Sequence, residues 1–123
     1  MGLIVSGNVG VGTNSPNSTL QVAGSVSVPF VVANTSPYNL GSNDHTVRQF
    51  GGCNNINFPD ATTCTGRIYV IIASHGTGVN VGLTATNGQS IYDDVTNTTY
   101  TFLTPGNRLS VQSDGANWIV IGN

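Results

Sequence analysis

Apolar and polar residues alternate along most of this chain, and glycine, asparagine and proline cut the alternation into short runs. A two-residue period puts successive side chains on opposite faces of a strand, so the sequence predicts an all-β protein. At the front, residues 3–11 read LIVSGNVGV and residues 20–28 read LQVAGSVSV. Laid over each other at an offset of 17, Leu3/Leu20, Val5/Val22, Gly7/Gly24, Val9/Val26 and Val11/Val28 coincide. Each copy is expected to be two short strands hinged at a glycine, with residues 12–19 as a polar turn between copies and a partial echo at 34–40. Such a ribbon has one apolar face and nothing within its own length to cover it. One outcome is an extra hairpin packed on the domain that follows. The expected outcome is a shared core, closed by identical copies from neighbouring chains around a three-fold axis, because stacked repeats need neighbours. Leu3, Val5, Val9, Val11, Leu20, Val22, Val26 and Val28 would form that trimer core.

From residue 45 onward strands and turns alternate regularly. Strands are expected at 45–50, 55–58, 67–73, 79–85, 90–92, 100–103, 108–113 and 117–121. The run Arg67-Ile68-Tyr69-Val70-Ile71-Ile72-Ala73 is the most apolar and is predicted to be a central strand buried on both faces. Asn87-Gly88 is a hairpin signal, since both residues accept positive φ. Asp114-Gly115 should close the last hairpin, 108–113 with 117–121. Short strands at this spacing suggest a sandwich or open barrel. The expected division is a β stalk over residues 1–39 and a tip domain over 40–123.

Composition strengthens this reading and narrows function. The chain of 123 residues has three arginines, five aspartates, no lysine and no glutamate. Lysine and glutamate populate the solvated faces of helices, so their absence argues against a helical fold. A net charge of −2 leaves no basic patch for nucleic acid. No apolar run approaches a membrane span, and the first residues lack the cationic flank of a signal peptide. A surface this poor in charge is prone to association, in keeping with self-assembly.

Candidate chemistry is sparse. His45 and His75 are far apart and have no carboxylate at ligand spacing, and Asp93, Asp94 and Asn97 match no calcium loop, so neither metal nor cofactor is expected. No nucleophile elbow occurs, and an enzyme is not expected; a glycan-cleaving activity would need paired carboxylates across a cleft. Cys53 and Cys64 bracket a segment expected to be a hairpin around Pro59; a disulfide between them and two reduced thiols are equally open. Trp118 either stacks on sugar from an exposed position or plugs the domain core, the second being the usual fate of a large aromatic. Receptor contacts are expected on the 87–99 loop, through Tyr92, Asp93, Asp94 and Asn97.

The stretch Gly7-Asn8-Val9-Gly10-Val11-Gly12-Thr13-Asn14-Ser15-Pro16, followed by Leu20-Gln21-Val22-Ala23-Gly24, resembles the GNVGIGT-x-SP…LxVxG repeat of bacteriophage tail-fibre and appendage proteins and related bacterial surface proteins. Ile56-Asn57-Phe58-Pro59-Asp60-Ala61, Gly66-Arg67-Ile68-Tyr69-Val70-Ile71 and Gln112-Ser113-Asp114-Gly115-Ala116-Asn117-Trp118-Ile119-Val120-Ile121 resemble a phage fibre tip domain, with the pattern LPdA…GrxyxI…sdGtnWxvI. The resemblance implies a homotrimeric virion structural protein, made in the bacterial host cytoplasm, in contact with other virion proteins. Its tip would bind a host cell-surface glycan or protein. Some relatives carry a self-cleaving chaperone that uses a serine and a lysine; with no lysine, this chain cannot cleave itself in that way. The alternative is a bacterial surface adhesin or carbohydrate-binding β module built on the same scaffold.

Overall fold

The computed structural model describes residues 2–123, and they form an all-β protein. Strands β1 (Val9–Val11) and β2 (Leu20–Val22) pair with each other in parallel, Val9 opposite Leu20 and Val11 opposite Val22, as a separate two-stranded sheet. The pairing thus joins the second half of one repeat to the first half of the next. Leu3, Val5, Val26 and Val28 lie outside strands, so the expected pair of strands in each copy is only half present.

The chain then winds back and forth between two facing sheets. Strands β3 (Phe30–Ala33), β5 (Thr46–Gln49) and β7 (Ile68–Ala73) enter a seven-stranded sheet. Between them, β4 (Tyr38–Asn39), β6 (Asn55–Asn57) and β8 (Val81–Thr84) enter a four-stranded sheet. Successive strands within each sheet are parallel, as a coil requires. The sheets are completed by β9 (Ile91–Asp93), β10 (Thr98–Thr99), β12 (Arg108–Ser113) and β13 (Trp118–Gly122) in the larger and β11 (Phe102–Leu103) in the smaller. β3 and β4 precede residue 40 yet are sheet strands of this sandwich, with Ala33 and Leu40 in its core, so the expected boundary at 39/40 cuts through the first circuit.

Parallel register stacks like on like. Val31, Val47, Ile71 and Leu109 occupy one inward row across β3, β5, β7 and β12. Trp118, Tyr69 and Phe58 fill the centre, with ring centroids 5.2–6.2 Å apart, and the indole N–H donates to the Pro59 carbonyl at 3.1 Å. Gln49 is the one polar side chain in a row with Ala33 and Ala73; its amide donates to the Cys53 carbonyl and accepts from the Ser74 N–H, so no polar atom is stranded.

Three expectations change here. The β7 run is buried on its inward side only (Tyr69, Ile71 and Ala73), while Ile68, Val70 and Ile72 are half-buried on the outer face of the large sheet. Asn87 and Gly88 do adopt positive φ, at 55° and 72°, but the turn carries the chain from one sheet to the other rather than closing a hairpin. The segment between Cys53 and Cys64 is β6 followed by a 3₁₀ turn over Ala61–Thr63, not a hairpin, and both thiols are buried and unbridged. Burial pushes the Cys53 thiol above its usual pKa.

Candidate receptor-binding surface

Of the expected contact residues, Tyr92 and Asp93 end strand β9 while Asp94 and Asn97 lie in the β9–β10 turn, and the turn uses most of them itself. Asp93 is buried, and its carboxylate accepts from the Val95 and Thr96 N–H groups at 2.9 and 3.2 Å. The bonds from Thr96 and then Val95 hold it below the usual carboxylate range. Such an Asx arrangement stabilises the turn, so Asp93 serves here as an anchor of the scaffold. The Tyr92 hydroxyl donates to Asn97 Oδ1 at 2.7 Å, and Asn97 sits at φ 55°. Asp94 alone of the four is fully exposed without a side-chain partner among the described residues.

Trp118 has no exposed surface, so it cannot stack on a sugar. It belongs to the core. His45 contacts the Thr46 hydroxyl, and His75 lies beside the turn at Gly106, so the two imidazoles serve separate places.

A second region was invisible as a site in the sequence. Strand β9 accompanies β13 only at Trp118 and Ile119. After the turn, β10 runs back along β9, and the chain leaves the large sheet to enter the small one as β11. The departing strand and the ends of β12 and β13 enclose a groove of about 630 Å³, lined by residues 98–104 with Asn107, Arg108 and Asn123. Phe102 is 49% exposed there, Tyr100 is half-buried, and the Asn123 amide donates to the Tyr100 hydroxyl at 3.2 Å. Tyr100 and Phe102 read as ordinary strand residues, because their sequence carries no sign that the strand changes sheets.

Comparison with protein-family models, curated proteins and solved structures yields no match. The resemblance to phage fibres therefore stands on its own residues. No helix among the described residues is long and apolar enough to cross a membrane.

Proposed function

We propose that the chain is a virion structural protein, the end of a trimeric fibre or appendage, with the front ribbon intertwined with its copies and the sandwich facing the host surface. The supporting observation is where apolar surface is left bare. Of fourteen large apolar side chains exposed in the single chain, nine lie between residues 3 and 32. Six of the eight side chains expected in a trimer core are among them, Leu3 and Val26 being 87% and 68% exposed. Val9 and Val22 are half-buried. Large apolar side chains left bare in such number within one segment are the kind of surface that a partner covers. Two copies of a repeat motif with one apolar face supply a surface that a second and third copy would match.

In this reading the protein does no chemistry. Three tips on one stalk would present three weak sites together, and avidity would exceed single-site affinity by about 10² to 10⁴. Light scattering tests the assembly: a solution mass near three times 12.7 kDa is expected, and a monomer overturns the proposal. Detection in purified particles, against detection on the bacterial surface, separates a virion component from an adhesin.

A further inference from the structure

The chain has eight formally charged side chains, and the fold engages six of them. Asp44 accepts from the Tyr38 hydroxyl and the Gly41 N–H; Asp60 accepts from Thr62, Asn87 and Gln89. Asp93 and Asp114 each accept two N–H groups of their own turns. Arg48 donates to Ser74 and lies 5.2 Å from the Phe50 ring centroid, and the Arg67 guanidinium is 3.5 Å from the Tyr69 hydroxyl. Among the described residues only the Asp94 and Arg108 side chains engage no hydrogen-bond partner of either kind, and Arg108 lies on the groove.

We infer that this groove binds a glycan bearing a carboxylate, with Arg108 holding the carboxylate. The inference rests on the attachment reading in taking the ligand from a host surface. A guanidinium fork matches a planar carboxylate in two parallel hydrogen bonds, and no aspartate lines the groove to compete for it. The neighbouring groups suit the rest of a sugar. Phe102 and Tyr100 give an apolar wall, while the Thr99 and Thr101 hydroxyls are free of side-chain bonds and can each donate and accept. The volume falls within the range of about 300–1,000 Å³ usual for ligand sites. A peptide would need a longer free strand edge or a deep apolar pocket, and β10 and β11 are two residues each. One cation offers a nucleic acid a single phosphate contact, too few for useful affinity.

The test titrates the intact, ¹⁵N-labelled chain with trigalacturonate and with sialyllactose, each beside its uncharged counterpart (the carboxyl-reduced trisaccharide and lactose). At least one acidic probe is expected to shift the amides of residues 98–104 and 108, and its uncharged counterpart to bind about tenfold to a hundredfold more weakly. Arg108→Gln should abolish that difference, and Arg108→Lys should keep part of it. No shift with either acid, shifts confined to other residues, or full affinity in Arg108→Gln each overturn the inference. Undiminished host-cell attachment by Arg108→Gln also overturns it while leaving the attachment reading in place. A monomeric chain that ignores host cells yet takes up the acidic probe through Arg108 would do the reverse.

Discussion

In the sandwich, inward side chains of one sheet meet those of the other, and Val47, Ile56, Ile71, Leu109 and Trp118 lose essentially all contact with water. In the ribbon, β1 and β2 carry the same alternation of valine and leucine, but they form a single layer, and Val11 and Leu20 stay 52% and 63% exposed. Local pattern is equal in the two regions. What differs is the second layer: the sandwich makes its own by returning the chain to the opposite sheet at every circuit, and the ribbon has none within the chain. Alternation therefore specifies a strand with a face to hide, and topology decides who hides it.

That contrast can be broken by mutation. Trp118→Ala should cost the sandwich about 3–5 kcal/mol, read from urea unfolding followed by circular dichroism, because it empties the centre of the aromatic cluster. A loss below about 1 kcal/mol would mean that the two sheets do not depend on that cluster. Gln49→Leu should cost about 2 kcal/mol in the same assay, since it strands the Cys53 carbonyl and the Ser74 N–H in the core.

Acid should act where Asp60, Asp93 and Asp114 are held below the usual carboxylate range, most strongly at Asp60. Hydrogen bonds from the Thr62 hydroxyl first, then from Gln89, the Thr62 N–H and Asn87, draw the Asp60 pKa down to about 2. The unfolded value is near 4. A depressed folded pKa adds stability that is complete above the unfolded value and disappears as pH falls toward about 2. Thermal unfolding of the wild type should thus lose stability between about pH 4 and 2, and Asp60→Asn should make that part of the profile shallower, with Asp93 and Asp114 carrying the remainder. An unchanged acid limb in Asp60→Asn would place the sensitivity elsewhere.

The smallest effect on sandwich stability is expected from Leu20→Asp, within about 0.5 kcal/mol, while under the proposed assembly the mass measured by light scattering should drop to that of a monomer. A large loss of stability without a change in mass would show that the ribbon packs against its own sandwich, and the contrast would fail.

The sequence carried the local features well. Period-two alternation located β8 and β12, and Asp114-Gly115 closes the β12–β13 hairpin with Gly115 at φ 92° and the Asp114 carboxylate accepting from Ala116 and Asn117. Long-range pairing was not legible. β5 lies between β3 and β7, both parallel to it, and such pairs have no shared turn to announce them. Asn87-Gly88 shows the same limit from the other side, since its positive φ angles were readable but the sheets it connects were not. At the candidate site, loop chemistry singled out Tyr92, Asp93, Asp94 and Asn97 but could not tell that Asp93 caps its own turn. The groove at Arg108 depends on a strand changing sheets, which no local pattern records.

The economical use of charge has a consequence for solution behaviour. Arg48 and Arg67 are satisfied by neutral partners, and the bonded aspartates by hydroxyls, amides and backbone N–H groups. Short-range contacts of that kind are little affected by screening ions. The body of the protein should therefore hold its shape from dilute buffer to brine, and ionic strength should be felt mainly by the two charges that face outward alone.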